Sequence, residues 1–410
     1  MKIKYLMLIV CIFTLMGCKK EMVAPEKSNT VNLKSDPTIN EAVEMITLGS
    51  ISSKFINGDR EDEAKALLAD ESLATKGNWE LIWYGYKSLE SVQAMIVKHK
   101  TIPNTYAVLT TGQSPTNVFA QYQGLYVFGT HDFEYVKSSS KAPQIATGLH
   151  SLIKLIVETK ADCSSLGLKD ATMWDVFRKI TQDLKETDKL TVYVSGHSLG
   201  GTNSVMLGTY LHTKFSGLEN IPDNKINMKV YDFAGPALYC QSMVDYFRNL
   251  SNDTHISFVS YLYSTENDVP PNYWPQNLLG MSEELPLSTI MRFTVKEFAK
   301  AFNKSLDLAG VQYKQIYEIG EPNRVVLKNL ADPKTFKVEA GKNITFVDGL
   351  TNYYCWNHFA SSYITSLGGK PVPLNDDEKA KVVTEENTHI IPDQNFIDKV
   401  IKDQGLVMPN

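Results

Sequence analysis

The sequence has few cysteines and little excess charge, and each shortage excludes a class of protein. The 410 residues include five cysteines, at positions 11, 18, 163, 240 and 355, with no Cys-x-x-Cys pair. This scatter fits neither a disulfide scaffold nor a structural zinc site, so we predict no metal and no other cofactor. The 41 basic and 46 acidic side chains give a net charge of −5, and no positive field would attract nucleic acid.

Long apolar segments that could cross a membrane are also missing. Lys2 and Lys4 precede an apolar run, residues 5–16, that is too short for a permanent spanning helix and is typical of a signal-peptide core. We therefore predict that residues 1–17 are a signal peptide. The run ends in Leu-Met-Gly-Cys, which resembles a bacterial lipobox, and the resemblance implies cleavage before Cys18 and lipidation of this cysteine.

The rest of the chain divides into three parts. Residues 18–38, the lipidated N-terminus and a flexible tether, are polar and without hydrophobic periodicity. Residues 39–367 form the folded domain, and residues 368–410, rich in prolines and charges, form a peripheral tail. We expect an extracytoplasmic protein that its lipid anchors to a bacterial membrane, at the outer membrane or the cell surface. A plain signal peptide beside a chance cysteine is the alternative.

The domain alternates between β-prone and helical patterns. The patterns predict strands at 105–112, 124–130, 190–195, 228–236, 255–264, 313–319 and 324–330. They predict helices at 40–56, 146–158, 173–184, 241–250 and 287–306. This alternation favours an α/β fold with a mainly parallel central sheet and helices on both faces. The last helix either packs on the domain or forms part of a cap over the substrate site.

The residues Gly-His-Ser-Leu-Gly at 196–200 fit the pattern G-x-S-x-G. In this pattern a sharp turn between a strand and a helix exposes a serine, and the glycines leave room for the turn. The context agrees, because a β-prone run ends at Ser195 and a helical pattern follows. We therefore predict that Ser198 is a catalytic nucleophile.

A serine hydroxyl needs a histidine to take its proton and a carboxylate to orient that histidine. In α/β-hydrolases the acid and then the histidine follow the serine in the chain. That order leaves His358, within the aromatic stretch TNYYCWNHFASSY, and His389, within a charged stretch where a solvated surface histidine is the ordinary interpretation. We predict His358 as the base.

The acid is predicted from its place after a strand. Asp268 lies in YLYSTENDVPPNYWP, where a loop at the carboxyl end of the sheet would hold it. Glu266 is a rival two positions away. Asp232 lies inside the preceding strand, where a structural partner is the expected interpretation. We favour Asp268.

Taken together, these motifs resemble the class 3 lipase family. The resemblance rests on GHSLGG at 196–201, VYDFAGP at 230–236, NDVPP at 267–271 and His358 five residues before Tyr363. It extends over roughly residues 85–365, in the family's order. The resemblance implies an α/β-hydrolase fold and hydrolysis of carboxylic esters, often of acylglycerols or phospholipids.

The family usually carries Arg-Gly-Ser or Arg-Gly-Thr after an early strand, where the last residue helps to form the oxyanion hole. The corresponding place here is Thr111-Gly112-Gln113, and Gly129-Thr130 is a competing placement. The first placement implies that the backbone N–H groups of Gln113 and Leu199 stabilise the oxyanion. The missing arginine and the glutamine are departures from the family pattern.

We therefore predict a serine hydrolase, a lipase or esterase, that acts on ester or lipid substrates through Ser198, Asp268 and His358. One rival is a surface lipoprotein that uses the same fold as a non-catalytic binding module. A closer rival is an acyltransferase or peptidase with the same triad. The sequence leaves open the oligomeric state and the pairing of Cys163, Cys240 and Cys355.

Overall fold

A computed structural model describes residues 37–53, 61–87, 92–112, 126–136, 142–218, 222, 225–266, 268–284, 289–328, 358 and 360–373. The predicted signal peptide, Cys18, nearly all of the tether and most of the C-terminal tail lie outside the described residues. Cys163 and Cys240 are both thiols, and Cys355 lies outside the described residues. Within the described ranges, no helix combines the length and the apolar character that crossing a bilayer requires.

Eleven strands occur in the described ranges. They are β1 (Trp79–Lys87), β2 (Val92–His99), β3 (Thr105–Thr110), β4 (Thr130–Asp132), β5 (Gln144–Ala146), β6 (Lys160–Cys163), β7 (Leu168–Thr172), β8 (Leu190–His197), β9 (Ile226–Phe233), β10 (Ile256–Thr265) and β11 (Arg324–Leu327).

The same ranges contain ten α-helices. They are α1 (Pro37–Ser53), α2 (Glu61–Leu68), α3 (Thr147–Glu158), α4 (Met173–Gln182), α5 (Leu199–Ser216), α6 (Gln241–Asn249), α7 (Val269–Tyr273), α8 (Leu278–Glu284), α9 (Thr289–Ala309) and α10 (Ala360–Ser366).

Seven strands form the central sheet, in the order β1-β2-β3-β8-β9-β10-β11. The pairs β1–β2 and β2–β3 are antiparallel, and every pair from β3 to β11 is parallel. β3 is buried along its whole length, as expected of a strand covered on both faces. The sheet confirms the predicted α/β-hydrolase fold with a mainly parallel sheet.

Helices cover the two faces of the sheet with separate apolar cores. One core joins the sheet to α3, α4, α5 and α6, with buried residues such as Leu152, Phe177, Met206 and Phe247. The other lies under α1 and α10, with Ile46 and Tyr363 among its fully buried members. α1 is apolar enough to cover the middle of the sheet, which is why the predicted helix near the N-terminus packs on the main body.

The predictions for two strands were wrong. Residues 126–129 are irregular, although Val127 is fully buried, and their carbonyls accept hydrogen bonds from the first turn of α3. Residues 313–319 are also irregular and make only an isolated bridge between Lys314 and Tyr239. In both segments, individual apolar side chains are buried in the core although the backbone around them is irregular. A β-prone composition does not distinguish such a segment from a strand.

The edges of the predicted domain also differ from expectation. α1 begins at Pro37, inside the segment assigned to the tether. At the other end, Val372 is buried and the Lys370 ammonium donates to the Ser72 hydroxyl at 2.8 Å, so the first residues of the predicted tail contact the domain.

The C-terminal half of α9 packs on the domain. Ala299, Phe302 and Leu306 are all buried, and the Phe302 ring contacts those of Trp274 and Phe128. These contacts favour the packed-helix interpretation for this half of the helix. This half of the helix therefore does not support the interpretation as a cap over the substrate site.

A polar cluster fixes α1 to the sheet. The carboxylate of Glu41 on α1 pairs with the Lys229 ammonium at 2.8 Å and accepts from the Tyr193 hydroxyl at 2.9 Å. It also accepts a hydrogen bond from the hydroxyl of Tyr231, a residue that is fully buried. The three partners lie on β8 and β9, so one side chain of α1 satisfies polar groups of two central strands.

We expect Glu41→Ala to lower the free energy of unfolding by about 2 kcal/mol, because it leaves the hydroxyls of buried Tyr231 and half-buried Tyr193, and the Lys229 ammonium, without their acceptor. Urea unfolding measures the change. Glu80→Ala is the matched control, since Glu80 only meets Lys98 at 3.8 Å on the surface, and its loss should cost less than about 1 kcal/mol. Equal losses in the two variants would contradict a stabilising role for the cluster.

Candidate active site

Ser198 occupies the turn between β8 and α5. Its backbone adopts φ 59° and ψ −131°, a conformation that side-chain-bearing residues rarely adopt. A Cβ added to Gly196 would lie 2.2 Å from the Gly200 carbonyl oxygen, and one added to Gly200 would lie 2.6 Å from the Thr110 carbonyl oxygen. The turn therefore requires glycine at both positions, for lack of space around the backbone.

The structure brings together the three side chains that the sequence singled out. His358 Nε2 lies 2.8 Å from the Ser198 hydroxyl oxygen, and His358 Nδ1 lies 2.8 Å from Asp268 Oδ1. Asp268 is fully buried, whereas Ser198 and His358 are partly exposed. The Asp268 end of this hydrogen-bond chain is thus shielded from water, and the Ser198 end is accessible to solvent.

Asp268 is held from its other side by Tyr363. The Tyr363 hydroxyl donates to Asp268 Oδ2 at 2.5 Å and accepts from the Thr265 backbone N–H at 3.1 Å. Burial raises the pKa of Asp268, while the neighbouring His358 and the Tyr363 hydroxyl act against that rise. Because both carboxylate oxygens have partners, the carboxylate is fixed in orientation and directs His358 Nδ1 toward itself and Nε2 toward Ser198.

The rival residues lie elsewhere. Glu266 is exposed, and Asp232 accepts a hydrogen bond from the Gly235 N–H at 2.8 Å beneath the serine turn. Burial raises the pKa of Asp232 to about 7. Asp232 therefore has a structural partner, as its place within β9 indicates. His389 lies outside the described residues.

His197 has a role that sequence reasoning missed. Its Nε2 lies 2.5 Å from the backbone carbonyl oxygen of His358, which can only accept, so Nε2 is the donor. Burial lowers the pKa of His197 to about 3, with the neighbouring His358 acting in the same direction. A neutral imidazole next to the nucleophile therefore holds the backbone of His358. Nothing in the G-x-S-x-G spacing signals this contact.

The loop after β3 passes close to the nucleophile. A Cβ added to Gly112 would lie 2.8 Å from the His197 carbonyl oxygen and 3.4 Å from the Ser198 Cβ. The neighbours of Gly129 are instead Thr147 and Tyr126. This proximity favours the placement of the oxyanion loop at 111–113 over the competing one, although Gln113 itself lies outside the described residues.

Leu199 is the first residue of α5. The first N–H groups of a helix have no partner within the helix, so the Leu199 N–H is available beside the serine. It lies at the positive end of an 18-residue helix, where a developing negative charge is favoured.

Comparison with known proteins agrees with this fold. Residues 115–278 match the family described as lipase (class 3), a range that includes Ser198 and Asp268. No curated protein matches the sequence.

Solved lipase structures resemble the chain. M37 lipase is 16% identical, with a TM-score of 0.59, over 80% of this chain and 93% of that one. Lipase II from Rhizopus niveus is 16% identical over 58% and 76%, with a TM-score of 0.39. Rhizomucor miehei lipase is 17% identical over 64% and 75%, also with a TM-score of 0.39.

The likeness to M37 lipase shows the α/β-hydrolase fold. The family match over residues 115–278 indicates a serine ester hydrolase of the lipase type. Within that class, the match supports the class 3 lipase family, and such a family acts on lipid or ester substrates.

The buried His197 makes a prediction about stability and pH. The folded protein keeps this side chain neutral down to about pH 3, whereas in the unfolded chain the imidazole binds a proton below its ordinary pKa of 6.5. Acidification from 6.5 toward 3 therefore favours unfolding, by up to about 1.4 kcal/mol per pH unit from this residue.

His197→Gln removes the titrating group and keeps a side-chain N–H donor. We expect the free energy of unfolding of the wild type to decrease relative to that of this variant as the pH falls below 6.5. Urea unfolding of both proteins at several pH values between 4 and 7 measures the shift. A difference that stays constant with pH would show that His197 does not remain neutral in the folded protein.

Proposed function

We propose that the protein hydrolyses carboxylic esters of lipids with Ser198 as nucleophile, His358 as general base and Asp268 as the orienting acid. The observation that carries the proposal is the hydrogen-bond chain from Ser198 through His358 to Asp268, with 2.8 Å at each step. This is the distance at which a base can take the proton of a serine hydroxyl.

The reaction follows from the geometry. His358 Nε2 takes the Ser198 proton as the oxygen attacks the ester carbonyl, and Asp268 stabilises the imidazolium that forms. His358 then gives the proton to the leaving alcohol, which leaves an acyl group on Ser198. Water, deprotonated by His358, attacks the acyl-enzyme. The bond to Ser198 then breaks, His358 returns the proton to the serine oxygen, and the acid is released. Each half of the reaction returns His358 to the neutral state in which it accepts a proton again.

The negative charge of the tetrahedral intermediate needs preset donors. We assign this role to the backbone N–H groups of Leu199 and Gln113. The approach of Gly112 to Ser198 supports the second donor, because it places the preceding residue beside the nucleophile. Backbone donors do not depend on the arginine that this loop lacks.

We expect Ser198→Ala to lower kcat for ester hydrolysis at least about a thousandfold, because the variant lacks the oxygen that forms the acyl-enzyme. Hydrolysis of nitrophenyl esters measures the loss, and a fluorophosphonate probe should label wild type but not the variant. Ser251→Ala is the control, since Ser251 is an exposed serine away from the turn. Full activity or labelling in Ser198→Ala would remove the assignment.

A substrate series with the same pair of proteins separates the related activities. Wild type should release acid from acylglycerols or phospholipids in water, in preference to cleaving peptides or transferring acyl groups to added alcohols. Dominant transfer to alcohol would indicate an acyltransferase. A folded wild type that neither reacts with the probe nor hydrolyses any ester would favour the binding-module alternative.

We also propose that lipidation of Cys18 anchors the enzyme outside the cytoplasm. The support is the lipobox-like ending of the apolar run, and the folded domain begins about twenty residues later, at Pro37. Residues 19–36 therefore supply a tether between the anchor and the domain.

Cys18→Ser should abolish incorporation of labelled fatty acid in a bacterial host and move the protein out of the membrane fraction, because the acyl chains supply the membrane affinity. Cys240→Ser is the control, since it removes a thiol of the folded domain and leaves position 18 intact. Labelling that persists in Cys18→Ser would contradict the anchor.

A further inference from the structure

Two histidines and a glutamate meet on the α3 side of the sheet, at a place the proposed reaction does not use. His131 lies on β4, Glu134 follows this strand, and His150 lies in the first half of α3. One potential ligand atom from each lies within 4.8 Å of the others. The two imidazole rings are stacked, with centroids 3.7 Å apart.

The backbone around the three residues is fixed by hydrogen bonds. β4 pairs with β5, and the Thr147 N–H at the start of α3 donates to the Gly129 carbonyl at 3.0 Å. Between the two exposed ligands, Phe133 is fully buried, and its N–H donates to the Pro143 carbonyl at 2.7 Å. The three side chains therefore extend from a common, anchored framework.

The hydrogen bonds also set which nitrogen can bind a metal. His131 Nδ1 lies 2.9 Å from the Asp132 backbone carbonyl oxygen, which can only accept, so Nδ1 carries the proton and Nε2 is free of it. His150 Nε2 donates to Glu134 Oε2 at 2.7 Å, so metal binding by these two atoms replaces this hydrogen bond and releases its proton. A hydrogen bond from one ring nitrogen to a backbone carbonyl is a usual way in which proteins orient a metal-binding histidine.

We propose that His131, Glu134 and His150 bind a divalent transition-metal ion of the zinc type. Imidazole nitrogen and carboxylate oxygen are ligands that such ions prefer, and two histidines with one glutamate form a known three-ligand set. Water completes the coordination at the exposed side. This site stands apart from the proposed ester hydrolysis and does not rest on it.

The movement that metal binding requires is small. Ligands about 2.1 Å from a tetrahedral zinc ion lie about 3.4 Å from one another. The present separations, 2.7 Å for one pair and up to 4.8 Å for the others, bracket that value. Glu134 has half of its side chain exposed and His131 is exposed, so both can rotate toward the mostly buried His150.

The test is zinc binding by the full chain after treatment with EDTA, measured by competition with a chromophoric chelator. Wild type should bind one zinc ion per chain, and His131→Ala and Glu134→Gln should each weaken binding about tenfold or more. His255→Ala is the matched control, because it removes another exposed histidine and leaves the cluster intact. This variant should keep the wild-type affinity.

Thermal unfolding gives a second measurement that does not depend on enzyme activity. Zinc should raise the Tm of wild type and of His255→Ala, and raise it less in His131→Ala, because an ion that binds only the folded chain stabilises it. Both cluster variants change exposed side chains, so circular dichroism should show wild-type folding. Absence of zinc binding to wild type, or equal affinity in all four proteins, would overturn the proposal.

Discussion

The site depends on the close approach of α5 to the carboxyl ends of the central strands. Gly200, in the first turn of α5, leaves no room for a side chain against the Thr110 carbonyl, and a Cβ on Gly201 would lie 2.2 Å from Asp232 Oδ1. This packing forces the chain to reverse within one residue, and Ser198 takes a positive φ of 59° to do so. Packing of the helix offsets the cost of that backbone conformation, which is of order 1–3 kcal/mol.

A second constraint brings His358 to the turn from 160 positions along the chain. Its ring is held by Asp268 and its backbone by His197, so both the orientation and the position of the imidazole are fixed. Tyr363 extends the arrangement, because its hydroxyl joins Asp268 to the end of β10. The buried side of this network contains neutral donors, and these support the carboxylate without adding charge to the dry interior.

The sequence predicted those parts of the site that depend on short, local constraints. The turn at Ser198 could be found because glycine is required on both sides of it, and Asp268 because it directly follows a buried strand. β1 and β2 escaped prediction, since Trp79–Lys87 mixes charged and aromatic residues and lacks clear alternation. The strand predictions for residues 126–129 and 313–319 were wrong, because Val127 and Tyr313 are buried as individual side chains and the backbone around them is irregular. The contact between His197 and the His358 carbonyl could not be predicted, since it depends on where the chain returns after a long excursion.

The hydrogen bond from His197 to the His358 carbonyl connects the residue next to the nucleophile with the residue that accepts the proton of the nucleophile. His197 directly precedes Ser198 in the chain, so the same turn positions both the nucleophile and, through this hydrogen bond, the residue that accepts its proton. The turn therefore sets the spacing between these two residues, and Asp268, which reaches the ring from beyond the end of β10, sets the orientation of the imidazole.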